Sequence, residues 1–218
     1  FYSLDNNLRF YPSWDILPYE SLSPSLEIMG ERLEVLNLVK SNQISLLVVP
    51  VDAFMQGVIP RMDLSNQTFF FSKGEVLERE YLETCLLDNG FARVPMVENR
   101  GDFSIRGDIV DVYPPASNNP IRMEFYDNTI ESLREFDVNS QVSLTVVDRV
   151  EILPVREVSP DEFQKANGLG EIAKFAKEQN ADSARLKELN DKIHQLDNFP
   201  GMENLAPFFY SCRENLFD

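Results

Sequence analysis

The sequence predicts a chain of the α/β class built from a partial parallel-sheet domain over residues 1–67, an inserted, mostly antiparallel α+β domain over 68–152, and a helical segment over 153–218. Three observations carry this division. The run Ile44-Ser45-Leu46-Leu47-Val48-Val49 is short and apolar and lies between two helical patterns, as does a buried strand of an α/β sheet. The middle of the chain alternates β-rich runs with Gly, Pro and Asn punctuation. Beyond Pro160 the composition shifts to Ala, Lys, Glu, Asp and Leu, with apolar residues at helical spacing.

In the first part, Leu8-Arg9-Phe10-Tyr11-Pro12 is expected as a strand that Pro12 ends, and 14–19 as a loop. Ser23-Pro24 reads as a helix cap followed by proline at the first helical position. Met29, Leu33, Leu36 and Val39 then recur at helical spacing, leaving Glu27, Glu31, Arg32 and Glu34 for solvent. The apolar run 44–49 is expected to be covered on both faces; Pro50 stops it and a short helix over 51–58 follows. The polar stretch Asp63-Leu64-Ser65-Asn66-Gln67 marks the boundary with the insert.

The insert opens with a strand over 68–72, a turn at Gly74 and a helix from Glu78 with Leu82, Cys85 and Leu86 facing inward. Glu78 and Glu80 suit the positive end of that helix, and Asn89-Gly90 stops it. After a strand over 91–97 comes the stretch Arg100-Gly101-Asp102-Phe103-Ser104-Ile105-Arg106-Gly107-Asp108-Ile109-Val110-Asp111-Val112-Tyr113-Pro114, which reads as one strand entered through a turn. Its apolar residues change parity, Phe103 and Ile105 being odd and Val110 and Val112 even, so one flat alternation cannot bury both pairs. Either a β-bulge near Arg106-Gly107, re-aiming Arg106 outward, or a strand buried on both faces accounts for this. Ala116-Ser117-Asn118-Asn119-Pro120 fits a hairpin connection to Ile121-Arg122-Met123-Glu124-Phe125-Tyr126. There Ile121, Met123 and Phe125 share one face, and Arg122, Glu124 and Tyr126 the other. Asp127-Asn128 signals a tight turn, 130–136 returns, and 142–153 is a final strand before Pro154.

In the last part, Leu186, Leu189, Ile193 and Leu196 predict helices over 161–180 and 182–197 that pack back on the first domain rather than on a coiled-coil partner. Phe199-Pro200-Gly201 breaks the pattern, and 207–210 is expected as an edge strand or loop.

With 36 acidic against 20 basic residues the formal net charge is −16, which opposes a sequence-independent grip on nucleic acid and suits a protein partner with a basic or mixed surface. Cys85 and Cys212 form neither a metal-like pair nor a disulfide framework. No apolar run approaches the roughly 20 residues that span a membrane, and no signal peptide opens the sequence, so a cytoplasmic location is the default expectation. The chain starts Phe-Tyr-Ser and ends at Phe217-Asp218, and is expected to be a fragment of a longer protein.

No phosphate-loop, dinucleotide or zinc-protease motif is present. The sole histidine, His194, lies on a charged helix and reads as a solvated surface residue; Asp102, Asp108 and Asp111 read as hydrogen-bonded turn and strand-edge aspartates. The fragment is therefore expected to be non-enzymatic, with no cofactor or metal of its own. What remains is the face with Arg122, Glu124 and Tyr126, next to Arg106. Arginine and tyrosine anchor protein interfaces, although by residue type alone a solvated strand face is the simpler account.

The ordered pattern Arg-Gly-Asp-Phe-x-x-Arg-Gly-Asp-Ile-x-Asp-x-Tyr-Pro, then Arg-x-Glu-Phe-Tyr-Asp and Ile-Glu-Ser-Leu-Arg-Glu-Phe-Asp, resembles the UvrB homology module of bacterial nucleotide excision repair. UvrB and the transcription-repair coupling factors (Mfd) both carry it. Tyr11-Pro12-Ser13-Trp14-Asp15-Ile16-Leu17-Pro18-Tyr19-Glu20 is similar to the coupling-factor version. UvrB follows that segment with a long aromatic hairpin that clamps damaged DNA, whereas here only Ser21 and Leu22 precede the cap at Ser23. The resemblance implies a P-loop-like first domain, whose phosphate-loop position would precede Phe1 and be degenerate, and an insert that binds UvrA. It places Arg106, Arg122 and Tyr126 on the family's contact positions, Tyr126 standing where Phe is frequent. It further implies a parent translocase that uses ATP and Mg, removes stalled RNA polymerase from damaged DNA, and can mask the UvrA surface with its own C-terminal region. The rival readings are a UvrB-like DNA-damage-binding domain and a nucleotide-hydrolase lobe.

Overall fold

A computed structural model describes residues 8–17, 20–195, 199–210 and 214–216. Tyr19, Leu196, Cys212 and the terminal Phe217-Asp218 lie outside these residues.

Strand β1 (Leu8–Phe10) leads through a loop to helix α1 (Leu26–Lys40), and β2 (Leu46–Val48) returns parallel to β1. The cap of α1 is Ser25, not Ser23: its hydroxyl accepts from the Ile28 N–H at 3.3 Å. Ser23 Oγ instead donates to Glu203 at 2.6 Å, so Pro24 precedes the cap rather than opening the helix. Met29, Leu33 and Leu36 are buried as their spacing predicts. Arg32, expected in solvent, is fully buried. Its guanidinium pairs with Glu157, donates to the Pro12 carbonyl at 2.7 Å and lies 4.2 Å from the centre of the Tyr11 ring. Strand β2 is also corrected: Ile44, Leu47 and Val49 pack towards α1, whereas Leu46 and Val48 are exposed. The run thus alternates as a half-buried strand does, and two parallel strands do not define a P-loop-like layer.

Helix α2 (Val51–Met55) follows as expected. The polar boundary stretch is taken up by a further helix, α3 (Arg61–Asn66), which buries Leu64.

In the middle of the chain, strand β3 (Phe69–Ser72), helix α4 (Arg79–Asp88) and the two-residue strand β4 (Ala92–Arg93) precede β5 (Asp102–Arg106), β6 (Ile109–Val112), β7 (Ile121–Tyr126), β8 (Thr129–Phe136), β9 (Ser143–Val147) and β10 (Arg149–Ile152). The expected strand over 91–97 is therefore short, and the expected strand over 142–153 is two. Strands β4 to β9 form a six-stranded sheet in chain order, antiparallel except for β4–β5, while β10 pairs antiparallel with β3. Leu82 and Leu86 of α4 pack with Phe103, Val110, Val112, Ile121, Met123 and Leu133 into the main core.

The single strand expected over 103–113 is in fact the β5–β6 hairpin, closed by Gly107-Asp108. Gly107 has φ +61, a conformation that glycine reaches without steric cost, and glycine first in a two-residue loop is a hairpin signature. Phe103 lies opposite Val112, and Ile105 opposite Val110. The parity change marks this reversal, not a bulge or a strand buried on both faces.

Helices α5 (Glu162–Glu178) and α6 (Ser183–Gln195) match the expected pair. Their apolar faces pack with Phe199, Met202, Phe209 and Tyr210 rather than in the first domain's cluster, while Gln164 of α5 reaches back to donate to Asp63 at 2.7 Å. After a 3-10 turn at Met202–Leu205, residues read as an edge strand or loop form α7 (Ala206–Phe209).

Candidate functional site

Two hairpins place the candidate residues. In register across the sheet, Ser104 of β5 faces Asp111 of β6, Asp111 faces Arg122 of β7, Arg122 faces Arg134 of β8, and Arg134 faces Val146 of β9. These side chains share the face opposite the main core. Asp111 is 0% exposed and holds both arginines. Arg122 donates through Nε to its Oδ1 at 2.7 Å and through Nη2 to its Oδ2 at 2.9 Å, and Arg106 donates through Nη2 to Oδ2 at 2.6 Å. Such forked, charge-assisted bonds fix geometry as well as energy. The Asp111 hydrogen bond keeps the Arg122 guanidinium above its ordinary pKa; burial opposes this, and the charges of Asp111 and Glu124 add to it.

Arg122 also lies 4.4 Å from the centre of the Phe136 ring and donates to the Gln141 side-chain and main-chain oxygens at 3.3 Å. A small cluster of Val97, Tyr113 and Phe136 underlies this part of the sheet. Glu124 accepts from Ser132 and from Arg134, each at 2.6 Å.

The three predicted contact residues do share a face, but they differ in availability. The Arg122 side chain is 14% exposed and the Arg106 side chain 44%, whereas Tyr126 is 76% exposed at the end of β7. Arg122 is thus largely consumed in holding Asp111, while Arg106 and Tyr126 face solvent.

Asp111 is the residue that sequence reasoning missed. Read as a strand-edge aspartate, it is instead buried on a central strand. Treating Gly107-Asp108 as a two-residue turn would have put Asp111 in phase with Arg106. Asp102 and Asp108 do behave as turn aspartates: Asp102 accepts from the Asn99 N–H at 2.8 Å, and Asp108 pairs with Arg79 at 2.5 Å. His194 is exposed on α6. Among the described residues no group of three or more His, Cys, Asp or Glu side chains is placed to hold a metal, and no helix is long and apolar enough to cross a membrane.

Residues 69–158, spanning β3 to β10 and the whole Asp111 row, match the family described as the UvrB interaction domain. The transcription-repair-coupling factor of Escherichia coli (strain K12) is 38% identical over 148 residues, which is 68% of this chain. The chain belongs to the transcription-repair coupling factor family. The coupling factor of Myxococcus xanthus is 32% identical over 210 residues, 95% of this chain, and that of Rickettsia typhi 28% identical over 219 residues, 100% of it. The chain spans only 13%, 17% and 19% of these three coupling factors.

Proposed function

We propose that this chain is the UvrA-recruiting module of a transcription-repair coupling factor, linking RNA polymerase stalled at a DNA lesion to nucleotide excision repair in the bacterial cytoplasm. The observation that carries the reading is the sheet face on which one buried carboxylate orients a part-exposed Arg106 and a mostly covered Arg122, with Tyr126 exposed on the same face. Arg106 and Tyr126 touch UvrA directly, and Arg122 contributes its exposed edge while holding Asp111 in place. Residues 68–152 form the recruiting domain, and 1–67 and 153–218 are the two parts of the P-loop-like domain into which it is inserted. The module is non-catalytic. The ATP- and Mg-dependent motor and the contacts with polymerase and DNA belong to other domains of the parent, whose C-terminal region covers the recruiting face until it is released.

The test is a titration of the chain with purified UvrA beside an Arg106→Ala variant of unchanged circular dichroism. Truncating an interface anchor costs about 1 to 4 kcal/mol, or roughly a fivefold to thousandfold loss of affinity. Equal affinity for the two proteins would remove Arg106 from the site, and no binding by the wild type would remove the recruitment role. Salt-dependent binding of duplex DNA by the isolated chain would favour the UvrB-like alternative instead.

A further inference from the structure

The polar face does not stop at Arg134. Across the register Arg134 lies opposite Val146 of β9, the outer strand of the six-stranded sheet. Val142, Leu144 and Val146 are 59%, 55% and 67% exposed. Val146 lies on the same face as Arg134 and Arg122; Leu144 and Val142 precede it on this exposed outer strand, Leu144 within the irregularity where the β8–β9 register shifts between Arg134 and Phe136. The run Val142-Ser143-Leu144-Thr145-Val146-Val147 contains no charge and no proline, the devices with which outer strands ordinarily protect themselves.

An apolar strip of this kind on a water-exposed face marks a contact surface. Stable interfaces combine a desolvated apolar centre with polar and charged surroundings. The Arg106, Arg122 and Tyr126 group alone supplies the charge and one ring, and the β9 strip supplies the missing aliphatic area. Neighbouring strands are about 4.8 Å apart, so Arg122 and Val146, two strands apart, are separated by on the order of 10 Å. Both fit within one interface of roughly 800 Å² per partner.

We infer that the partner-binding face continues from Arg106, Arg122 and Tyr126 across Arg134 onto Val142, Leu144 and Val146, and that UvrA covers this strip. The inference rests on the recruitment reading given above. Its occupant is set by continuity with that face and by charge. The face carries Arg106, Arg122 and Arg134 against the carboxylates of Asp111 and Glu124, in a chain of net charge −16. The fitting partner surface is therefore an apolar ridge flanked by acidic side chains.

The experiment is a UvrA titration of four proteins: the wild type, Tyr126→Ala, the double variant Leu144→Asp, Val146→Asp, and its milder counterpart Leu144→Ser, Val146→Thr. Thermal melts and sedimentation are run on each. All the substituted side chains are exposed, so near-native melts are expected. The inference predicts that the aspartate pair weakens UvrA binding about tenfold or more and the milder pair weakens it less. Wild-type affinity in both strip variants, with Tyr126→Ala weakened, would overturn the inference and leave the recruitment reading standing. Absence of binding by the wild type would overturn both. Self-association by the wild type that the aspartate pair abolishes without changing UvrA affinity would assign the strip to a second copy of the chain.

Discussion

Asp111 concentrates two arginines on one buried carboxylate, so its loss is felt twice. In Asp111→Ala the Arg122 guanidinium stays largely covered, beside Phe136, without its counter-charge. Removing one member of a buried pair in this way costs about 3–5 kcal/mol, to be read as a lowered melting point. UvrA affinity is expected to fall with it, because Arg106 loses the oxygen that orients it. Burial pushes the phenols of Tyr11 and Tyr210 well above their ordinary pKa, with the Glu157 charge contributing in each case. Here the raised folded-state pKa means that stability is complete below the unfolded value of about 10 and is lost as pH rises above it, where only the unfolded chain ionises. An alkaline titration followed by phenolate absorbance should show these two rings ionising only as the chain unfolds. Two of the residues that the sequence misassigned, Asp111 and Arg32, are charged. Arg32 falls in the same helical turn as Met29 and Leu33, but its charge argued for solvent. Its partner Glu157 lies far along the chain, where no local pattern could pair them.

At the scale of elements, the strongly patterned segments were legible. Helix α1, helix α4 with its Asn89-Gly90 stop, the alternation of β7 and the Asp127-Asn128 turn all follow from spacing and punctuation. The misses occurred where one run hid two elements. Residues 103–113 hold a hairpin, and 142–153 hold β9 and β10, which belong to different sheets. In both cases each half is only four or five residues long and has high β propensity, so composition cannot show where one strand ends. Contacts between distant elements were equally invisible. Gly30 of α1 is an example: a Cβ built there would lie 2.4 Å from the Pro115 carbonyl carbon. The helix approaches the loop after β6 too closely for any side chain. Gly30→Ala should therefore cost about 1–3 kcal/mol in a denaturant melt, an overpacking penalty at a backbone that cannot yield as a side chain would.

For the whole molecule, polar ties join the strands of residues 69–152 to the segments on either side, and join those two segments to each other. Asn37 of α1 donates to Glu151 of β10 at 2.9 Å, Gln67 donates to the Ser159 carbonyl at 3.0 Å, and Arg32 reaches Glu157 just beyond the sheet. None of these ties draws on Arg106, Arg122 or Tyr126. Arg106, Arg122 and Arg134 form an island of arginines on one face of the sheet in a chain of net charge −16, whose acidity is otherwise unsuited to phosphate. The recruitment role requires that this island and its neighbouring tyrosine engage UvrA. The most direct measurement is UvrA affinity for Tyr126→Ala, because a side chain 76% exposed can be removed without disturbing the core. Recruitment through this face predicts an unchanged melting point with affinity lowered about tenfold or more. An unchanged melting point with wild-type affinity would contradict it.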